Sequence, residues 1–178
     1  ASPSRGIPAR ANGTDEVVVR PAAVGAPDPD RVPALLQKQR ELLVHAASGA
    51  DTRDVLTLLV ELIEAYAPDA IGSVLLVEPE TQSLRTFVAP RLPREYCEAI
   101  DGVGIGPGAG SCGTAAARNE IVVVDDIASD PLWEPFRELA LGHGLRACWS
   151  TPIANGANEV IGTFALYYGS VRRPTERD

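Results

Sequence analysis

Apolar positions along this chain change period several times, and each period predicts an element. Val32, Leu35, Leu36, Leu42, Leu43 and Ala46 recur at three- and four-residue spacing, while Gln37, Lys38, Arg40 and Glu41 fall on the opposite face. That spacing lays one apolar stripe along an α-helix, and the stripe ends near Gly49. It covers barely two heptads, so it fits a helix packed on its own domain as well as one half of a dimer seam. A second helix is predicted from Asp51, whose carboxylate can cap free amides, to about Tyr66. Its face is broad: Val55, Leu56, Leu59, Leu62, Ile63 and Tyr66. Pro68 and Asp69 close it.

The period then shortens. Residues 71–77 are rich in β-branched side chains and read as a strand, Glu78-Pro79-Glu80-Thr81-Gln82 as a turn, and residues 83–89 as the returning strand of an antiparallel hairpin. A short helix is expected over residues 93–100, where Tyr96, Ala99 and Ile100 share a face. Residues 121–124 form a short buried strand ended by Asp125 and Asp126. Asp130-Pro131 is a helix start, and the helix should run to about Leu141, with Leu132, Phe136, Leu139 and Ala140 inward and Gly142 and Gly144 stopping it. Residues 145–153 and 160–168 are two further strands, joined through Asn155-Gly156, a dipeptide suited to a tight hairpin. The first and last strands carry apolar residues on both alternating faces, which requires cover on both sides. The expected class is α+β, with a central antiparallel sheet of five to six strands and helices on both faces.

Residues 1–33, rich in Pro, Ala, Arg and Gly, read as a linker with room for one stray strand at Val17-Val18-Val19, and residues 34–178 as the domain. The tail from Arg172 to Asp178 resembles the start of a further helix. A chain that begins at Ala1 and holds no methionine is expected to be a piece of a longer protein.

Composition removes several functions. The net charge is −8, and Lys38 is the single lysine among 16 basic residues, so no basic stripe awaits nucleic-acid phosphates. No stretch of about 18 apolar residues could span a membrane. Cys97, Cys112 and Cys148 are an odd count without a C-x-x-C pair, which argues against a disulfide framework or structural zinc and fits a reducing cytoplasm.

Six glycines fall between Gly102 and Gly113, and Gly108-x-Gly110-x-x-Gly113 matches the dinucleotide fingerprint in letters. The fingerprint works only after a strand, before a full crossover helix, and with an acid about 20 residues on to hold a ribose. Here a short helix precedes it, and only Thr114 to Arg118 separate it from the next strand, too few for a crossover. The Rossmann reading fails. The glycines are instead expected to form a flexible wall around a site.

Three segments taken in order carry a family resemblance: Gly110-Ser111-Cys112-Gly113-Thr114-Ala115-Ala116; Asp126-Ile127 with Asp130-Pro131-Leu132-Trp133; and residues 144–153, followed by Ile161-Gly162-Thr163-Phe164-Ala165. Together they resemble GAF domains, particularly those of bacterial sensor histidine kinases and cyclic-dinucleotide signalling enzymes. The resemblance covers about residues 35–178. It implies a non-catalytic cytoplasmic regulatory module that binds a small ligand, or only dimerises, and passes the change to an attached output domain.

The candidates for chemistry follow. Cys112 lies where the glycine loop meets a short helix, and a helix N-terminus favours a thiolate, so redox sensing or covalent attachment competes with simple packing. Cys148, mid-strand beside Trp149, is expected to be buried and inert. Bilin-binding relatives attach the chromophore at a cysteine commonly followed by histidine, and here Glu98, Gly113 and Trp149 follow the three cysteines. Haem-binding relatives need an axial histidine, and only His45 and His143 are available. The sequence argues against both groups, and the dispersed cyclic-nucleotide signature is also unmet. The free methionine-R-sulfoxide reductase branch places a cysteine in a segment like that at Cys112, but its other cysteines have no clear counterparts. Asp125 and Asp126, adjacent at a strand end, point to opposite sides and read as a turn and cap. The candidate ligand site is Phe87, Cys112, Thr114, Asp126, Trp133, Phe136, Trp149 and Thr151, with the four aromatics converging on one side of the sheet as an apolar lining.

Overall fold

The computed structural model describes residues 32–175, so the predicted linker and its stray strand lie almost wholly outside the described residues. The chain forms α1 (Val32–Ala47), α2 (Thr52–Tyr66), β1 (Ala70–Glu78), β2 (Ser83–Val88), α3 (Arg94–Ile100), β3 (Val103–Gly104), α4 (Gly110–Arg118), β4 (Val122–Val124), a 3-10 turn (Pro131–Trp133), α5 (Arg137–Gly142), β5 (Ala147–Ala154) and β6 (Val160–Tyr168). The sheet order is β3-β2-β1-β6-β5-β4, and every neighbouring pair is antiparallel. The first long strand therefore lies beside the last, at the centre. The α+β class with helices on both faces holds.

Period-two alternation divides the sheet residues between two cores. On one face, Val74, Val88 and Phe164 pack under Leu56 and Val60 of α2, with Ala70, Ala147, Trp149 and Tyr168 continuing that layer. On the other, Leu75, Leu84, Cys148, Ala165 and Tyr167 meet α3, α4 and the segment leading to α5, which form the main core. Asp51 caps α2 as expected, its Oδ1 accepting the Arg53 N–H at 2.7 Å. The close approach of α2 to β1 depends on Gly72, where a Cβ would lie 2.7 Å from Val60 Cγ1. In the gap, the buried Glu64 carboxylate accepts the Gly72 N–H at 2.8 Å.

Several boundaries differ from the pattern-based expectation. The helix expected from Asp130 to Leu141 is two pieces, a 3-10 turn and α5, because Pro135 offers no N–H to continue the ladder and its ring crowds the preceding turn. The Asn155-Gly156 connection is not a two-residue hairpin: Ala154 pairs with Val160, and Asn155 Oδ1 organises the loop by accepting the Ala157 and Glu159 N–H groups at 2.9 and 3.0 Å. The positive φ falls on Asn158, at 64°. The helix after the glycine loop begins at Gly110, four residues before Thr114. No helix forms in the tail through Thr175. Instead the tail lies on the sheet edge, with the Arg172 N–H donating to Asp125 O at 3.0 Å and the Trp149 indole N–H donating to Arg172 O at 3.3 Å.

Helix α1 packs against α2. Its Leu36, Leu43 and Val44 nevertheless remain 58%, 69% and 57% exposed.

Candidate functional site

The main core contains a small pocket between the β1/β6 face, α3, the first turn of α4 and the 3-10 turn. The glycine stretch makes this approach feasible. At Gly113 a Cβ would sit 2.6 Å from Gly104 O and 2.5 Å from Ala109 Cβ, so only glycine lets α4 lie against β3. Gly110, at φ +63°, turns the chain into α4 with both the Trp133 and Phe136 rings 3.9 Å from where its Cβ would be. The loop is a closely fitted wall.

Aromatic rings fill most of the space. Tyr96 and Tyr167 meet edge to face at 5.9 Å, and Trp133 meets Tyr167 at 6.4 Å. The Trp133 indole N–H donates to Ser111 Oγ at 3.0 Å, and the Ser111 hydroxyl donates to Cys148 O at 3.2 Å. This chain ties the 3-10 turn to α4 and α4 to β5. What remains is a cavity of about 20 Å³, room for roughly one water. No ionisable carboxylate, lysine, arginine or histidine lines it; its walls include Leu75, Ile100, Val103, Cys112 and Phe136.

Beneath the cavity lies a buried polar layer. The hydroxyls of Ser73, Thr114, Ser150 and Thr163 are buried and have no hydrogen-bond partner. Cys112 Sγ stands 4.0 Å from Tyr167 Oη. The polar groups around the Cys112 sulfur, the Cys148 thiol first and then the Ser150, Thr163 and Tyr167 hydroxyls, favour its thiolate and lower its pKa to about 7 against the opposing effect of burial. Burial pushes the Cys148, Tyr96 and Tyr167 groups well up, so these stay protonated. Cys148 is buried, as its sequence context implied, and belongs to the same core cluster as Cys112.

The eight candidate residues separate into three groups. Cys112, Trp133 and Phe136 line the cavity, and Thr114 is buried one helical step behind it. Phe87 and Trp149 do not converge with them. Cys148 and Ser150 point into the pocket side of β5, so Trp149 between them must face α2, where it packs on Tyr168 at 4.5 Å. Phe87 likewise lies on the α2 side, under the Arg53 guanidinium at 4.1 Å. Thr151, in phase with Trp149, is exposed. Asp126 lies away from the cavity, paired with Arg146 at 3.0 Å and capping the Ala128 N–H at 3.1 Å. Asp125 instead pairs with Arg173 of the tail at 2.7 Å, so of the two acids Asp126 alone makes the local cap. His143 touches the edge of Tyr96 at 5.5 Å, and among the described residues no cluster of three His, Cys, Asp or Glu could hold a metal. Tyr96, Tyr167 and Ser111 were missed by the sequence reading. Cross-strand register brings Tyr167 opposite Cys148, a pairing that spacing along one strand does not reveal.

An antiparallel six-stranded sheet with helices on both faces and a small pocket against its central strands defines a small α+β domain. The chain belongs to the GAF domain family, whose GAF_2 model matches residues 49–178 and leaves α1 outside. It is 37% identical over 144 residues to the methyl sulfide methyltransferase-associated sensor of Methanosarcina acetivorans, an alignment covering 81% of this chain and 14% of that protein. The chain thus spans about one seventh of that relative's length. Its fold resembles a domain of a two-component sensor histidine kinase protein from Sinorhizobium meliloti, with TM-score 0.58 and 21% identity over 71% of this chain and 79% of that one. It also resembles the free methionine-R-sulfoxide reductase of Neisseria meningitidis, solved with its substrate, with TM-score 0.61 and 18% identity over 88% and 84% of the two chains.

Proposed function

We propose that this domain is a non-catalytic cytoplasmic sensor that binds a small uncharged ligand in the pocket below Trp133 and relays the change through a homodimer to an attached output domain. The observation that carries the reading is the pocket itself, an aromatic-lined cavity closed by a segment held through one hydrogen-bond chain, Trp133 to Ser111 to Cys148 O. The reading requires a second, open state of this segment around a ligand, beside the closed one around little. The free energy difference between them is what ligand binding can exploit. Helix α1 supports the dimer, because Leu36, Leu43 and Val44 are exposed along one side of it. Family membership and a relative named as a sensor support the regulatory role. Size-exclusion chromatography with light scattering tests the dimer: twice the chain mass is expected, and a monomer at micromolar concentration would overturn it.

A second reading, a thiol oxidoreductase using Cys112, is favoured by the lowered pKa of that thiol at the cavity wall. Incubation with free methionine sulfoxide and a dithiol separates the two. Turnover abolished by Cys112→Ser would replace the sensor reading; no turnover leaves it standing.

A further inference from the structure

The segment that carries Trp133 into the pocket is held together by its own hydrogen bonds. Asp126 O accepts the Ser129 and Asp130 N–H groups at 3.2 and 3.1 Å, Asp130 O accepts the Trp133 N–H at 3.2 Å, and Trp133 O accepts the Phe136 N–H at 2.9 Å. Arg137 fastens its middle, with Nη2 donating to Asp130 O at 3.1 Å. A ligand that displaces Trp133 therefore moves residues 126–136 as one body, pivoting where the segment leaves β4. Asp126 is the root of that body. Its carboxylate holds Arg146 at 3.0 Å, and the N–H of the next residue, Ile127, donates to Arg146 O at 2.8 Å.

The residue before the root holds the chain that leaves β6. Asp125 O accepts the Arg172 N–H at 3.0 Å, and Asp125 Oδ2 pairs with Arg173 at 2.7 Å. Arg172 is clamped a second time: its carbonyl accepts the Trp149 indole N–H at 3.3 Å, and its guanidinium lies 4.4 Å from the centre of the Tyr168 ring and 5.5 Å from that of Trp149. Arg146 closes the circuit, since its own N–H donates to Tyr168 O at 2.8 Å. Residues 169–173 thus form a strap from the end of β6 to the end of β4. Neighbouring residues, Asp125 and Asp126, hold the strap and the pocket segment respectively.

We propose that this strap is the outlet of the pocket: movement of the Trp133 segment acts on Asp125 through Asp126 and loosens residues 169–173. The inference rests on the sensor reading for its purpose, since it names the path by which the pocket acts on an attached domain. The coupling itself belongs to the chain with or without a ligand. It is also reciprocal, so cutting the strap loosens the pocket segment by the same factor.

Amide hydrogen exchange of the full chain, resolved by residue in NMR spectra, tests this. Trp133→Phe keeps a ring in the pocket and removes the indole N–H that bonds Ser111, which loosens the segment without touching the strap. The Arg172 amide is expected to exchange at least about fivefold faster in that variant. The Asn155 amide, bonded to Glu159 O at 2.9 Å in the far β5–β6 loop, should keep its parent rate. In the double variant Arg172→Ala, Arg173→Ala, the Trp133 indole N–H should exchange faster than in the parent. An unchanged Arg172 amide, equal acceleration of Arg172 and Asn155, or an indole unaffected by loss of the strap would overturn the proposal. Should Trp133→Phe fail to fold, Ser111→Ala removes the same hydrogen bond from its other side. A ligand found on a chain whose Arg172 amide ignores Trp133 would keep the sensor reading and end this one, and coupled exchange in a chain that holds no ligand would do the reverse.

Discussion

Two buried ionisable groups, Glu64 and Cys112, show how surroundings set the sign of a residue's contribution. Glu64 has its pKa raised chiefly by burial, against the opposing hydrogen bond from Gly72 N–H. A carboxylate raised in the folded state contributes stability below its ordinary value near 4.5 and loses it as pH rises through the folded value. Glu64→Gln keeps an acceptor for Gly72 and removes the charge. We expect its stability relative to the parent to grow from acid to neutral pH in urea titrations, and a parallel pair of pH profiles would contradict the assignment. Trp133, 3% exposed and bonded to Ser111, has the opposite character: Trp133→Ala should cost about 3–5 kcal/mol in denaturant unfolding and open the pocket. The sequence marked Cys112, Trp133 and Phe136 because a reactive type and two large aromatics stood near glycines and a capping Asp-Pro. It could not separate them from Phe87 and Trp149, whose facing depends on strand phase. One residue of register decides which core an aromatic enters.

At the scale of elements, the strands and α2 were legible because their periods are long enough to fix a face, and Asp51 marks a start. The two-residue β3 left no period to read. The break in the helix before α5 was written in Pro135 but outweighed by the apolar spacing of Leu132, Phe136 and Leu139 on either side of it. The glycine stretch was legible as a wall, and its tightness was not, since the limiting contact is to Gly104 O across the turn. Gly113→Ala should therefore destabilise by about 1–3 kcal/mol with no change in charge or polarity, measured as a lower thermal midpoint. Helix α1 makes the opposite prediction. Leu43 is 69% exposed, so Leu43→Glu should change monomer stability by no more than about 0.5 kcal/mol while dissociating the proposed dimer.

Across the whole molecule, charge and pocket behave separately. Asp101, lowered chiefly by the Thr86 N–H, and Asp126, lowered chiefly by Arg146, both contribute stability above the ordinary aspartate value near 3.8 and lose it as pH falls through their folded values. Both lie outside the pocket, so acid should loosen the shell around β2, α3 and β4 without titrating a cavity wall. The central claim, a sensor pocket that takes a small ligand, is tested most directly by native mass spectrometry of the chain purified from its own host. We expect a dimer carrying a small non-covalent mass, released on denaturation and lost in Trp133→Ala. Recovery of the wild-type chain solely at its polypeptide mass would contradict the account.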